Sequence, residues 1–557
     1  MRKPSIFWSL LFFLISFVCL FSQTQKQLPV FRITAERVTV DFVAVDKQGR
    51  FVSDLKQQEI DVYEDDKKQA IDFFLQPSAS GQRAADSGDL VRPGEVGAAP
   101  GTAKASEEQP ATAIVIDSRA IDSNNFVHAS NAIRNFIEHN LAAGHAVMIA
   151  EVSRGLNTLS PMTRDKNTLL AAVNKLRPQS VFNPLDERNI LSEAYFDDLS
   201  LQVRYVREAL TLLCYALSGR PGRKHVVFFT EGYPMDPLAE ATSQRQRLAA
   251  GQQSAEVRQA LAREEGRFKN PNVLGAVREV VTLANKFGVS FYTIDARGLV
   301  AVAGVGQASR SGNVDVGVTS GLLFDEGAVI ASFTEMDIRN IDSARNTLIA
   351  LAAGTNGMAF YNTNNLGVVL QYSTAEQQNY YLAGYVPSAK RKAGEFHRLN
   401  VRTSRPGLYI RSRKGYLDLP EETVRNAKLN TAFSRPELFS QLSPLVQIEP
   451  ARGKTRVVAG VPGAQIRFRP ASDKFQGEIL FRGMVYDSAG KPVSKDVLIS
   501  KGFNLALTRE QMAQLANQPL LMQDELALQS GQYKLVMVVE DRLSGSLGAA
   551  VQEFKVP

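Results

Sequence analysis

From Ala111 onward the sequence changes period, and that change limits the possible folds more than any other feature. Ala111 to Ile116 is an unbroken apolar run ending at Asp117, the pattern of a strand buried on both faces. A helical pattern follows at Phe126, Ile133, Phe136 and Ile137, closed by Gly144, and Ala146 to Val152 reads as the next strand. A helix at Leu169, Leu170, Val173 and Leu176 is broken by Pro178, and another covers Val203 to Leu217 before a strand at Val226 to Phe229. Helices over Val273–Phe287 and Ile341–Ala353 then alternate with strands at Val289–Ile294 and Met358–Tyr361. This alternation predicts a doubly wound α/β domain with a largely parallel sheet over residues 111–376. Such sheets bind at the carboxyl ends of their strands, so the insertions at 178–200, 237–270 and 298–335 are where specificity is expected.

The flanks read as β-structure. In residues 28–76, a β-rich run (Val38, Val40, Phe42, Val45) turns at Asp46–Gly49, and Ile60 to Glu64 alternates before a turn at Asp65-Asp66. Residues 77–110 are rich in Ser, Ala, Gly, Pro and charge; they lack the apolar surface to fold and read as a flexible linker. Residues 377–417 read as a basic strand extension with runs at Tyr380–Val386, His397–Thr403 and Leu408–Arg413, the last two joined at Pro406-Gly407. Residues 418–445 read as a linker with a short helix. Residues 446–557 read as an antiparallel β-sandwich, with strands at Gln465–Phe468, Glu478–Tyr486 and Tyr533–Val539 and a turn at Asp487–Gly490. A chain of 557 residues accommodates several such units at ~100–200 residues each.

Arg2 and Lys3 precede an apolar run from Ile6 to Phe21, followed by a polar stretch from Ser22, which is the order of a secretory signal peptide over residues 1–22. At about 1.5 Å per residue the run falls short of a ~30 Å hydrocarbon core, which disfavours the alternative of an uncleaved anchor. A lipoprotein processed at Cys19 is a further alternative, against which stands the bulky Val18 before it. Export places the mature chain in the periplasm or outside the cell, with no integral membrane span after cleavage. Cys214 is then the lone mature cysteine, expected as a small buried hydrophobe.

Several function classes are excluded. Two cysteines in the whole chain rule out a disulfide scaffold, and the five histidines show no HExxH spacing. A formal charge of +7 over this length is no nucleic-acid signature. No GxSxG elbow, Walker loop or paired-carboxylate pattern appears, and Gly304-Val305-Gly306 lacks a third glycine, so the chain reads as a non-enzyme. His145 and His225 read as surface or strand-edge residues.

Four stretches, in their order and spacing, resemble von Willebrand factor type A (VWA) domain proteins, and most closely the acidobacterial VWA-related family. They are Val45–Arg50 to Asp65, Tyr292-Thr293-Ile294-Asp295-Ala296-Arg297-Gly298, Leu351–Gly357 to Asn362-Thr363-Asn364, and Tyr380–Pro387 to Arg413–Tyr416. The resemblance runs from about residue 30 to 420 and implies a doubly wound, Rossmann-like VWA domain flanked by β modules, with extracytoplasmic ligand binding as its role. It also implies a divalent-cation motif, Asp-x-Ser-x-Ser, completed by a later Thr and Asp. Here Asp117 is kept, but the two Ser positions are Arg119 and Ile121, and Ser118 is out of phase. Thr230-Glu231-Gly232 stands where the family often has Thr-Asp-Gly. Three readings follow: a retained Mg²⁺ site, Arg119 as a tethered cation on Asp117, or Asp117 and Glu231 as strand-end caps. We adopt no bound metal, with Asp117 and Glu231 as remnant positions and Asp117, Ser118, Arg119, Thr230 and Glu231 as candidate binding residues.

Basic residues crowd the stretch from Lys390 to Lys414, opposed only by Glu395. Period-two alternation puts Arg398 with Arg402, and Arg411 with Arg413, on common strand faces. They read either as a patch for an anionic envelope polymer or acidic protein, or as a solvated edge hairpin that blocks edge pairing. The expected function is an exported, non-enzymatic binding or adhesion protein with a protein partner. The alternatives are a structural or assembly component of the cell envelope and a metal-dependent VWA adhesin with an intact Mg²⁺ site.

Overall fold

The computed structural model describes residues 38–76, 90–95, 111–142, 145–179, 193–220, 223–238, 270–299, 335–388, 392–451 and 453–557. The expected signal peptide and most of the 77–110 stretch lie outside the described residues. Near the start, β1 (Val38–Val45), β2 (Ile60–Glu64), β3 (Lys67–Gln69) and β4 (Ile71–Leu75) are short antiparallel strands. Asp46 closes the first turn, its Oδ1 accepting the backbone N–H of Gln48 and of Arg50. Asp65 and Asp66 adopt φ of 48° and 64°, the left-handed pair that a two-residue hairpin between β2 and β3 requires.

The central sheet contains β5 (Ala111–Asp117), β6 (Ala146–Val152), β7 (Leu156–Thr163), β8 (Lys224–Thr230), β9 (Val289–Asp295) and β10 (Met358–Phe360), in the order β10-β9-β8-β5-β6-β7. All neighbours are parallel except β7, which runs antiparallel to β6. Every residue of β5, β6, β8 and β9 is buried, which explains their mostly apolar sequences. Side chains alternate between two cores. Ile114, Ile116, Val147, Ile149, Val227 and Phe229 pack under α1 (Ser123–Asn135) and α2 (Lys166–Val173). Ala113, Val115, Ala150, Val226 and Phe228 pack under α3 (Glu193–Leu217), α4 (Val273–Phe287) and α5 (Glu335–Gly354). A sixth helix, α6 (Leu366–Glu376), buries Val369 and Leu370 on the α1 side. The class is mixed α/β with a parallel-rich sheet. Sequence periodicity missed β7, half-exposed and interrupted by Pro161, and α6, whose apolar residues cluster at one end.

The chain then returns to its beginning. Strands β11 (Tyr381–Tyr385), β12 (Phe396–Thr403), β13 (Tyr409–Ser412) and β14 (Gly415–Leu417) interleave with the first four to give sheets β13-β1-β11-β4 and β14-β12-β2-β3. Val38 faces Tyr385 and Val62 faces Val401 across these ladders. The two modules read from sequence over 28–76 and 377–417 are therefore, in their described residues, halves of one sandwich with a shared core of Val40, Phe42, Val62, Tyr381, Tyr385 and Val401.

The 418–445 stretch also departs from the linker expected. Helix α7 (Glu421–Ser434) buries Leu429, Ala432 and Phe433, joined by Leu438 and Phe439, between the α3 face of the central sheet and Val536, Val538 and Leu547 of the C-terminal unit. That unit holds β15 (Leu445–Glu449), β16 (Thr455–Pro462), β17 (Arg469–Ala471), β18 (Lys474–Asp487), β19 (Ile499–Leu507), the helix α8 (Arg509–Leu515), β20 (Pro519–Leu526), β21 (Gly531–Asp541) and β22 (Ser546–Val556). One sheet is β15-β16-β20; the other is β17-β18-β21-β22 with β19 on β18. The strand expected over 465–468 is a short 3-10 turn and a single bridge, in which Phe468 exchanges backbone hydrogen bonds with Val91 at 2.8 and 2.9 Å. Part of the 77–110 stretch is thus docked, not free. No described helix is long and apolar enough to cross a membrane.

Candidate functional site

The order reversal of the sheet lies at β5, flanked by β6 on one side and β8 on the other, and the carboxyl ends of β5, β8 and β9 deliver Asp117, Thr230 and Asp295 to one rim. Asp117 is fully buried. Its Oδ2 accepts hydrogen bonds from Tyr233 Oη at 2.7 Å and Thr230 Oγ1 at 3.1 Å. Its Oδ1 accepts the backbone N–H groups of Ala120 at 3.2 Å and Arg119 at 3.3 Å. Burial pushes the carboxyl above the usual aspartate range, and these donors only partly oppose it. Burial and the neighbouring Asp117 likewise push the Tyr233 phenol well up.

The residues do not fit the divalent cation that the VWA resemblance implies. Mg²⁺ demands near-octahedral oxygen ligands. Ser118 Oγ instead donates to the Val152 carbonyl at 2.8 Å, turned toward β6. Ile121 is buried in the α1-side core and offers no oxygen. Thr230 Oγ1 spends its proton on Asp117 and accepts the Gly232 N–H at 3.1 Å. Glu231 caps the start of α1, its Oε1 accepting the Asp122 N–H and Asn125 Nδ2 at 2.9 Å each. Burial raises the Glu231 pKa as well. The tethered-cation reading of Arg119 is corrected too: its guanidinium pairs with Asp198 of α3 at 2.9 Å, and only its backbone N–H touches Asp117.

Tyr233 was missed in the sequence. The available signal was a hydroxyl-bearing aromatic three residues past Thr230 in a strand-end loop. Gly232 makes its placement possible, with φ of +79° and a backbone so close to α5 that a Cβ would stand 2.3 Å from the Ala344 carbonyl. Tyr233→Phe is expected to lower stability by about 1–2 kcal/mol, the loss of one buried hydrogen bond to a carboxyl. Thermal unfolding checks this, and an unchanged transition would remove Tyr233 as the partner of Asp117.

Beside it, Asp295 accepts a bidentate pair from Arg297 (2.7 and 3.0 Å) and a further bond from Arg345 Nε at 3.0 Å. Arg345 reaches on to Asn362 Oδ1 at 2.7 Å, and Asn364 Oδ1 accepts the Leu299 N–H at 2.9 Å. Two of the stretches that carry the family resemblance thereby meet at the rim.

The basic patch divides. Arg398 and Arg402 point outward from β12, the first paired with Asp66 at 3.1 Å and the second lying over the Tyr63 ring. Arg411 and Arg413 turn inward, contrary to a patch on one surface. Arg411 pairs with Glu376 and donates to the Gly357 carbonyl at 2.6 Å, while Arg413 donates to the Asn285 and Thr39 carbonyls. The histidines are also corrected. His225 is fully buried in β8, and His145 is buried with Nε2 2.8 Å from Thr112 Oγ1, its pKa lowered by burial to about 4. Cys214 is buried, with its thiol pushed up by burial.

No protein-family model and no curated protein matches the chain. Solved structures similar to it include an aerotolerance-related membrane protein from Bacteroides fragilis, at 11% identity over 48% of this chain and 98% of that one, with a TM-score of 0.23. The vWF domain of the type V pili tip protein Mfa5 from Porphyromonas gingivalis is 12% identical over 48% of this chain and 94% of its own, with a TM-score of 0.27. The three N-terminal domains of that tip protein match at 10% identity over 80% of this chain and 92% of theirs, again at 0.27. The VWA-like reading of the α/β domain accordingly rests on its own strand order, the Asp117 strand end and the order of the motif stretches.

Proposed function

We propose that this chain is an exported, non-enzymatic binding protein. Its doubly wound, VWA-like α/β domain takes a protein partner at the rim above β5, β8 and β9, without a divalent cation. The observation that supports this most is the saturation of Asp117 by Tyr233, Thr230 and two backbone N–H groups. What the rim offers a partner is then side chains and loops instead of an ion's open coordination position. The described ends of the 237–270 and 298–335 stretches lie at this rim, where Leu238 and Asp236 bond Asn270 and Leu299 bonds Asn364, and these stretches are proposed to take part in an interface of the usual ~1,200–2,000 Å². The outward Arg398 and Arg402 keep an anionic envelope polymer as a secondary ligand.

A second reading, a structural or assembly component of the envelope, is favoured by one observation. Helix α7 and a buried ionic cluster join the α/β domain to both sandwiches, as suits a rigid spacer. Capture of partners from envelope extract by the tagged full chain separates the two. Binding is expected to vanish when 237–270 and 298–335 are deleted and to persist in EDTA. Undiminished capture by the deletion variant would move the function to the sandwiches; capture abolished by EDTA and restored by Mg²⁺ would restore the metal-dependent adhesin.

A further inference from the structure

The hairpin turn after β2 sets Glu64 and Asp65 beside His397 of the neighbouring strand β12. His397 Nδ1 lies 3.3 Å from Glu64 Oε1 and 2.9 Å from Asp65 Oδ2. Among the described residues, this is the one group of three His, Cys, Asp or Glu side chains whose ligand atoms all stand within 4.8 Å of one another. We propose that Glu64, Asp65 and His397 bind a first-row divalent cation, best matched by Zn²⁺, with water completing a tetrahedron.

The spacing suits that ion. Ligands held ~2.0–2.2 Å from Zn²⁺ at tetrahedral angles stand roughly 3.3 Å from each other, close to the separations observed. One imidazole nitrogen with two carboxylates selects a borderline metal over Mg²⁺, which prefers six oxygens and retains its waters. Groups outside the triad already aim the carboxylates. Tyr385 Oη donates to Glu64 Oε2 at 2.5 Å, Tyr416 Oη to Glu64 Oε1 at 3.2 Å, and the Arg398 N–H to Asp65 Oδ1 at 2.9 Å. Such supporting bonds orient ligands before the ion arrives.

The imidazole is enclosed, with Nδ1 turned to both carboxylates. His397 is 7% exposed, and its Nε2 is buried without a hydrogen-bond partner. Coordination through Nδ1 puts the imidazole's one proton on Nε2, across the ring from both carboxylates. Solvent reaches the site along Asp65, whose side chain is 42% exposed. The ion would join strands 332 residues apart in sequence, fastening the N-terminal half of the sandwich to the half that follows the α/β domain. A divalent requirement of this chain would then arise here, away from Asp117 and independently of what the rim binds.

The test uses the full chain, stripped with chelator and titrated with Zn²⁺ alone. One Zn²⁺ per chain is expected by elemental analysis after gel filtration, with a raised melting temperature; Mg²⁺ should change neither. Asp65→Asn, an exposed and nearly isosteric change, and His397→Ala are each expected to weaken Zn²⁺ binding at least ~10-fold by calorimetry, and Tyr416→Phe by about 10-fold. Circular dichroism confirms that the Asp65→Asn chain is folded. The proposal is overturned if the wild type takes up no Zn²⁺, or if Asp65→Asn and His397→Ala bind it as tightly as the wild type.

Discussion

Replacing Arg223 by methionine is expected to cost on the order of 3 kcal/mol, because it removes the guanidinium that buried Glu376 and partly buried Asp41 share and leaves them only Arg411 and Arg413. The Arg223 side chain is 1% exposed; its Nη1 stands 2.7 Å from Glu376 Oε1 and its Nε 3.2 Å from Asp41 Oδ2. Nη2 donates to the Asn356 carbonyl at 2.7 Å. Glu376 is fully buried at the end of α6, while Asp41 belongs to β1, so one guanidinium ties the α/β domain to the first sandwich. Burial alone would raise the Asp41 pKa, but Arg223 and then Arg413 outweigh it and hold the carboxyl below its ordinary value. A depressed carboxyl contributes stability that is present above its unfolded pKa and is lost as pH falls through the folded one. The acid side of the stability profile should therefore be shallower in Arg223→Met than in the wild type. Because several domains unfold here, urea titration followed by probes in each domain is the proper measurement, and the variant should split one shared transition into two. A variant within 1 kcal/mol of the wild type, with the transitions still coincident, would show that Arg223 does not couple the domains.

That cluster also shows where sequence reading stops. The strands at 111–117, 146–152 and 289–295 were legible almost to the residue, because a strand buried on both faces is apolar at most of its positions. Alternation in the run Leu408–Arg413 likewise paired Arg411 with Arg413, yet alternation cannot say which face is inward. The answer depends on Glu376, which belongs to a helix the periodicity missed. The split sandwich was hidden for a similar reason. Val38 and Tyr385 carry no mark of each other, since a ladder bond says nothing about the length of chain it closes. At the rim, Arg119 and Ile121 at the two Ser positions that the VWA resemblance implies were legible in the sequence. The hydroxyl partner of Asp117 was not, because Tyr233 acts through geometry that only the close approach of Gly232 to α5 creates.

The hydroxyl groups bonded to its carboxyl make Asp117 itself the sharpest test of the rim. Asp117→Ala leaves the Tyr233 and Thr230 hydroxyls and two backbone N–H groups buried without their acceptor, at an expected cost on the order of 3–5 kcal/mol. Asp117→Asn keeps the shape and an acceptor for the backbone, and the two hydroxyls can rotate to accept from the new amide, so about 1 kcal/mol or less is expected. A Mg²⁺ site would rank the pair differently, because removing the ligand charge harms metal binding in both. Thermal unfolding of wild type and both variants, in EDTA and in Mg²⁺, measures this directly; a Mg²⁺-dependent stabilisation of the wild type that Asp117→Asn abolishes would overturn the hydroxyl-filled site. The pH dependence gives an independent sign. Since burial holds the Asp117 carboxyl above its ordinary range, the folded state keeps that proton to higher pH than the unfolded chain does. Its contribution is most favourable below the unfolded pKa and declines as pH rises through the folded one, a slope opposite to that of Asp41. Asparagine cannot titrate, so the wild type should lose stability relative to Asp117→Asn as pH rises from the ordinary aspartate range toward neutrality.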